Sequence, residues 1–257
     1  MNIVTFNIRC DHKQDGKNNF EYRKPLIRKC LLEKDSDIVC FQEVLPHMAL
    51  WLSEVLKDYQ LVGCGREKDL TGEQMTVAIR KDRFEIVSMD TYWLSNTPYL
   101  PGSRYEEQSK YPRTATQLLL KETETNDVCL IVNTHLDHKD SRARVQGMRC
   151  VLDKIHQAQI QWKAIGKLPV ILCGDMNAHP ESPEIESMNH SGIVCDITEE
   201  ISGTYHNFGK MDKPAKIDYI AVSENIRLKK LELWKDQKNG VFLSDHYPIS
   251  ATVHIQK

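Results

Sequence analysis

The sequence lacks most of the short signatures that would fix a chemistry at a glance. None of its eight cysteines (Cys10, Cys30, Cys40, Cys64, Cys129, Cys150, Cys173 and Cys195) forms a C-x-x-C pair, which removes the usual thiolate zinc and dithiol redox motifs. There is no G-x-x-x-x-G-K-[ST] or G-x-G-x-x-G phosphate cradle and no G-x-S-x-G nucleophile elbow. No apolar run approaches the roughly 20 residues that span a bilayer. The opening MNIVTFNIR has neither a basic start nor a long apolar stretch, so no export signal is expected. The net charge is only -2 over 257 residues, which argues against bulk electrostatic capture of nucleic acid, although a local basic groove would not show in a total. No Gly/Ser-rich or Pro-rich linker and no short repeat divides the chain, so a single domain over 1–257 is expected. Most of the cysteines lie in apolar runs and read as reduced, buried thiols of a cytoplasmic protein, with the even count leaving a disulfide open.

What is present is a series of short apolar runs with the look of buried strands: Ile3 to Ile8, Ile38 to Phe41, Met75 to Ile79, Thr116 to Leu120, Val128 to Val132, Val170 to Cys173, Ile217 to Val222 and Ser250 to Ile255. Between them, helical spacing predicts helices over Arg23 to Lys34, with Pro25 in its first turn, over Pro46 to Leu56, and over Ser141 to Trp162 capped by Asp140 or Ser141. This mixture predicts α/β layers around a large sheet core. Asp90 to Pro112 carries Tyr92, Trp93, Tyr99, Tyr105 and Tyr111. It reads either as a functional connection or as a surface loop pinned by its own aromatics.

The informative pattern is where polar residues fall. Asn7 ends the first run. DIVCFQEV delivers Gln42 and Glu43, VCLIVNTHLDH delivers Asn133, His135, Asp137 and His138, and PVILCGDMN delivers Asp175 and Asn177. KIDYIAV carries Asp218 inside an apolar run, and LSDHYPIS delivers Asp245 and His246. Any one of these is an ordinary turn residue. Six together would gather carboxylates, amides and imidazoles at one edge of a sheet. Oxygen ligands dominate the set, which favours Mg²⁺ or Mn²⁺ over Zn²⁺ and suits a phosphoryl substrate. A zinc site at His135 and His138 is the weaker reading, because the dense histidine cluster of zinc hydrolases is incomplete.

At these residues the chain resembles the endonuclease/exonuclease/phosphatase superfamily, the DNase I-like fold. The motifs TFNIR, CFQEV, YPRTAT, NTHLDH, GDMNAHP, KIDYI and LSDHYP occur in family order from residue 5 to residue 248. RKPLI, WLSNTP and GTYH place it nearest an uncharacterised bacterial subgroup. The resemblance implies a four-layer α/β/β/α sandwich of two mixed sheets and divalent-metal-dependent hydrolysis of a phosphoester, a diester more than a monoester, by in-line attack of an activated water. It implies Glu43, Asn7 and Asp245 at the metal. It implies His246 at the reaction centre, oriented by Asp218, and Asp175 with Asn177 as the pair positioning nucleophile or leaving oxygen. His135 would contact the phosphoryl group with Glu73 as its carboxylate partner, and Arg113 would face the phosphate. His246 is then either the general base or a charged clamp with Asp175 as the base.

Plainer readings compete. Glu43 could be a surface acid, Asn7 a backbone cap, Asp175 and Asn177 an Asx turn, and Arg113 a surface ion pair; Asp218 in an apolar run needs some partner to offset its burial. Abasic-site endonucleases of the superfamily tend to have tyrosine where Arg113 falls, and DNase I-type enzymes carry one where Thr71 stands. Nucleic acid is therefore not favoured. Small phosphodiesters, nucleotides, sugar phosphates and lipid headgroups stay open. The competing function is a catalytically silent phosphate- or partner-binding module on the same fold.

Overall fold

In the computed structural model, residues 1–256 are described. Fourteen strands alternate with four α-helices. The strands are β1 Asn2–Asn7, β2 Ile38–Val44, β3 Tyr59–Val62, β4 Gln74–Arg80, β5 Phe84–Trp93, β6 Thr114–Glu122, β7 Val128–His135, β8 Val170–Asp175, β9 Cys195–Asp196, β10 Asp218–Val222, β11 Ile226–Leu233, β12 Gln237–Lys238, β13 Val241–Phe242 and β14 Ile249–Ile255. The helices are α1 Phe20–Lys34, α2 Pro46–Val55, α3 Ser141–Gln161 and α4 Pro183–Asn189. The first sheet runs β11-β14-β1-β2-β4-β3 and the second β5-β6-β7-β8-β10-β9. Each is antiparallel except for one parallel pair, β1 with β2 and β7 with β8.

Alternation within the strands builds the layers. Ile3, Ile38, Cys40, Val77 and Ile79 of the first sheet meet Leu118, Leu120, Ile131, Ile171, Cys173 and Ile220 of the second in a dry layer between them. The alternate residues Val4, Phe6, Val39 and Phe41 face outward and are covered by Ile27, Leu31, Met48 and Leu52 of α1 and α2. Leu119, Leu130, Val132 and Leu172 are covered likewise by Met148, Val151, Leu152, Ile155, Ile185 and Met188 of α3 and α4. The result is the expected α/β/β/α sandwich.

Several elements differ from their sequence expectation. α1 starts three residues earlier, at Phe20 with Asn19 as its cap, because the Asn19 side chain accepts from the Glu21 N–H. Pro25 therefore lies in the second turn, where it cannot donate to the Glu21 carbonyl. Asp140, rather than Ser141, caps α3 by accepting from the Arg142 and Ala143 N–H groups. β3, β5, β11 and α4 carry no clean apolar period and were not expected. β5 and β11 are half-exposed, which dilutes the pattern. All eight cysteines are free thiols, so the disulfide left open by their even number does not form.

Above the apolar layer the sandwich turns polar. Thr5, Gln42, Thr116 and Asn133 are all buried on inner-facing positions. The Gln42 Nε2 donates to Asn133 Oδ1 across the two sheets at 2.7 Å. Asn133 Nδ2 donates to the carbonyls of Phe41 (2.8 Å) and Thr76 (3.2 Å). Arg23, completely buried in α1, donates to four carbonyls: Asn18, Ile8, Arg9 and Leu243. It thereby ties the loop after β1 to the segment that precedes Asp245.

Replacing Asn133 with leucine leaves Gln42 Nε2 and the Phe41 carbonyl short of a buried partner. Urea denaturation is expected to show a loss of about 2–4 kcal/mol in the Asn133→Leu protein. A loss below about 0.5 kcal/mol would show that the inter-sheet amide pair is dispensable.

Candidate active site

The inner-facing positions that follow the polar layer all come out at one edge. Asn7 ends β1, His135 ends β7, Asp175 ends β8, and Asp218 opens the antiparallel β10. His135 stands opposite Asp175 in register, and Asp175 opposite Asp218. Gly174 makes this possible: a Cβ there would lie 2.0 Å from the Thr134 carbonyl oxygen, so only glycine lets β7 and β8 approach so closely beside the two side chains. Glu43 reaches the same edge differently. The β2–β4 register slips between Phe41 and Val44, and Glu43 adopts a left-handed φ of 63° at this irregularity. Asp245 and His246 precede β14 instead of opening it, and are held by a bridge from His246 to Tyr205.

Asp175 sits at the centre. Its Oδ2 accepts from Asn7 Nδ2 at 2.9 Å and lies 3.5 Å from His135 Nε2 and 3.8 Å from His246 Nε2. Its Oδ1 accepts from the Asn177 N–H at 2.9 Å, in an Asx turn with Asn177 at φ 49°. Asn7 Nδ2 also donates to Glu43 Oε1 at 3.1 Å, and Glu43 Oε2 accepts from the Cys10 N–H at 3.0 Å. His246 Nδ1 lies 2.8 Å from Asp218 Oδ2. Thr204 Oγ1 fixes Asp218 from behind by accepting from the Ile217 and Asp218 N–H groups. Asp245 lies 3.6 Å from the Arg9 guanidinium, which itself holds Asp15. The Tyr205 ring stands 4.9 Å from the His246 ring.

These groups set one another's charge. Burial opposes the His246 cation, but Asp218 and then Asp175 and Asp245 outweigh it and carry its pKa up to about 10. Burial and the Asp218 charge push Asp175 up to about 7. Burial also pushes Asp245 upward. His135 behaves oppositely: burial and the Arg113 charge keep its pKa well below the usual value, so the ring is neutral. Asn177 Nδ2 lies 2.8 Å from His135 Nε2, and an amide N–H can only donate, so the His135 proton belongs on Nδ1. Burial works against the Glu43 charge as well. Since His135 is neutral, Arg9 and the Cys10 and Asn7 donors hold the Glu43 carboxyl below its ordinary range.

Four carboxylates, Glu43, Asp175, Asp218 and Asp245, thus gather with Arg9 and His246 as the cations in contact with them. One ligand atom each of Asp175, Asp218 and His246 lies within 4.8 Å of the other two. An excess of hard oxygen donors in a buried site fits a divalent cation of the Mg²⁺ or Mn²⁺ type. The zinc alternative at His135 and His138 fits poorly, because His135 Nε2 is taken by Asn177 and His138 Nδ1 by Arg113 Nη2 at 3.0 Å.

A cleft of about 580 Å³ contains this edge and continues to Arg66, Glu73, Tyr111, Arg113 and His138. Of the ten candidates, Asn7, Glu43, His135, Asp175, Asn177, Asp218, Asp245 and His246 lie in one contact network, and Glu73 and Arg113 line the same cleft. One expected pairing is corrected. Glu73 binds Arg66 through two hydrogen bonds, 2.5 and 3.0 Å, and His135 Nδ1 has no hydrogen-bond partner. The cation is the stronger partner for a buried carboxylate beside Glu43. The aromatic segment divides as well: Tyr92, Trp93 and Tyr105 are buried, Tyr99 bonds Asp90, and Tyr111 is the member that reaches the cleft. Arg9, Arg66 and Tyr205 were missed. Arg9 and Tyr205 lie inside TFNIR and GTYH, where the charged and aromatic positions were the available signal.

A model of the Endonuclease/Exonuclease/phosphatase family matches residues 4–246. The chain belongs to this family. An endonuclease/exonuclease/phosphatase from Bacteroides vulgatus is 30% identical, covers 99% of this chain and 98% of its own, and superposes with a TM-score of 0.91. A mannosyl-6-phosphatase from Bacteroides thetaiotaomicron is 26% identical over 99% of this chain and 100% of its own, with a TM-score of 0.89. Among curated proteins, the Ccr4 3'-5'-exoribonuclease subunit of Kluyveromyces lactis is 23% identical over 82% of this chain and 31% of its own length. The chain spans between 29% and 45% of the curated relatives it matches. Among the described residues no helix is long and apolar enough to cross a membrane.

The Asp218–His246 pair predicts a titration. In metal-free protein the His246 imidazole should stay protonated until the pH passes about 10. Because the folded pKa lies above the unfolded value of about 6.5, the pair's stabilisation is complete below that pH and disappears as pH rises through about 10. Asp218→Asn should lower the His246 pKa by about two pH units or more, read from its ring resonances by NMR. An unchanged titration would separate the two groups electrostatically.

Proposed function

We propose that this chain is a single-domain, Mg²⁺- or Mn²⁺-dependent phosphoric ester hydrolase. The observation that supports this most is the placing of Asp175 between the imidazolium of His246 and the amide of Asn7, beside an excess of carboxylates. Glu43, Asn7 and Asp245 are the residues that would hold the cation. When bound, the cation supplies positive charge that neutralises phosphoryl oxygens.

The protein's own groups divide the remaining work. His246, charged through Asp218, faces the phosphoryl group with its Nε2–H and stabilises negative charge there. Asp175, close to neutrality in pKa and in reach of the same space, is the better candidate to take the proton of the attacking water. As the water oxygen bonds to phosphorus, the ester P–O bond on the opposite side breaks and the leaving oxygen departs in line. Asn177, whose Nδ2 donates to His135 Nε2 and to the Leu136 carbonyl, positions the neutral His135 at the wall of the phosphoryl space, and Arg113 supplies charge from the far side. Charge matching of this kind favours the role of His246 as clamp over its role as base.

The substrate class is a phosphoester, with diesters ahead of monoesters on the sequence resemblance. Nucleotides and sugar phosphates both belong in the test, given what the exoribonuclease and the mannosyl-6-phosphatase are named for. A panel of phosphodiesters and phosphomonoesters with Mg²⁺ or Mn²⁺ should yield turnover that chelation abolishes. Glu43→Gln, Asp175→Asn and His246→Ala should each lower kcat by about 10²- to 10⁴-fold while circular dichroism shows the fold retained. Full activity in His246→Ala would sink its assigned role. Absence of hydrolysis across the panel would favour the silent binding module.

A further inference from the structure

The cleft is polarised. Its acidic end is the reaction centre. Its other end holds two arginines, Arg66 and Arg113, each only 5% exposed. Burying guanidinium donors without partners is costly, and here three are left so: Arg66 Nε, Arg113 Nε and Arg113 Nη1. The neighbouring acids do not use them. Glu73 takes both terminal nitrogens of Arg66, Glu67 lies 3.7 Å from its Nε, and Asp137 stands 4.0 Å from Arg113 Nε. Asp137 is already engaged by the Ser109 side chain and by the Ser109, Lys139 and Asp140 N–H groups. At the mouth, Tyr111 carries Arg66 on its ring at 4.7 Å and Lys110 at 4.9 Å. Arg66 and Lys110 thus share one partly exposed ring, and Arg113 lines the same part of the cleft.

The scissile phosphoryl group does not need all of this. At the reaction centre it already meets His246 and His135, with Arg113 beside them. We propose that Arg66 and the Tyr111–Lys110 rim, with Arg113 shared between them and the reaction centre, form a subsite for a second phosphate of the substrate, one that is held but not cleaved. The substrate is then a small molecule with at least two phosphate groups, such as a sugar bisphosphate or a nucleotide with a further phosphate. A cleft of about 580 Å³ suits a ligand of that size. The planar guanidinium fork matches phosphate oxygens, and the enclosed setting keeps water from competing. Glu73 acts as a positioning residue that holds Arg66 against the ring.

This inference rests on the phosphoesterase reading of the cleft, and its test separates the two. In EDTA, where turnover cannot occur and the carboxylates repel anions, inorganic phosphate is titrated calorimetrically into the intact protein. One phosphate should bind, with affinity lowered at least tenfold in Arg66→Gln and changed less than twofold in Asn177→Ala. The double variant Arg66→Gln/Glu73→Gln, which removes the ion pair as a unit, gives the same loss if the single variant is unstable. Then, with Mg²⁺ and the Asp175→Asn protein, fructose 1,6-bisphosphate and adenosine 3',5'-bisphosphate are compared with fructose 6-phosphate and adenosine 5'-monophosphate. At least one bisphosphate should bind tenfold or more tighter than its monophosphate, and Arg66→Gln should erase that preference. No phosphate binding in EDTA, equal loss in Asn177→Ala, or no bisphosphate preference would each overturn the subsite. Hydrolysis of the ester panel by wild type bears on the phosphoesterase reading alone.

Discussion

The geometry of the site hangs on a hydrogen bond far from solvent, the one from Gln42 Nε2 to Asn133 Oδ1 that joins the two sheets. Sheets packed through aliphatic side chains can slide, because dispersion is non-directional. An amide pair cannot, since an unmade buried hydrogen bond costs more than the made one gains. Fixing Gln42 against Asn133 fixes β2 against β7. Glu43 follows one residue later on the first strand and His135 two residues later on the second. Asn133 also donates to the carbonyls of Phe41 and Thr76, so the pin includes β4 and the place where the β2–β4 ladder loses register. The left-handed Glu43 is held just above this pin.

Charge does for the loops what the amide pair does for the strands. Asp175, Asp218, Asp245 and His246 would each be costly to bury alone; together each is partly compensated by the others, which commits the segments that carry them to one arrangement. Arg23 extends the commitment outward. With burial lowering its pKa to about 10, it is still a cation at neutral pH, and its four carbonyl acceptors come from both loops that flank the acidic end. Loss of any member therefore withdraws compensation from the buried charges and carbonyls it touches.

Much of this was legible in the sequence because the period of a strand is two. Asn7, Asp175 and His135 fall on the inner-facing phase of apolar runs, and Asp218 opens one, so their convergence follows from alternation plus a shared edge. What alternation does not encode is partner choice across loops. Glu73 lies in a turn-rich stretch between β3 and β4, where no period applies, and its capture by Arg66 instead of His135 depends on the Gly63-to-Gly72 loop folding back on itself, with Arg66 N bonding the Glu73 carbonyl. The aromatic stretch failed as a unit for a related reason. Tyr92 and Trp93 finish β5 and obey its burial, Tyr105 packs with the α3 core, and Tyr111 alone reaches the cleft. Edge strands β3, β5 and β11 escaped notice because half their residues meet solvent.

On the proposed reading, the division between strand-borne and loop-borne residues also separates reaction from recognition. Asn7, His135, Asp175 and Asp218 are set by ladders with a register that cannot drift without turning every neighbour to the wrong face. Arg66, Lys110 and Tyr111 sit on connections, outside any strand register. Arg113 stands at the junction, one residue before β6, and influences both His135 and Glu73 electrostatically. A scaffold built this way can keep one way of cleaving a phosphoester while the far wall changes what is attached to it. Asp245 and His246 illustrate the same logic in two consecutive residues. The first is tied to the loop cation Arg9 and the second to the strand carboxylate Asp218, so a single backbone segment couples the loop after β1 to the strand edge.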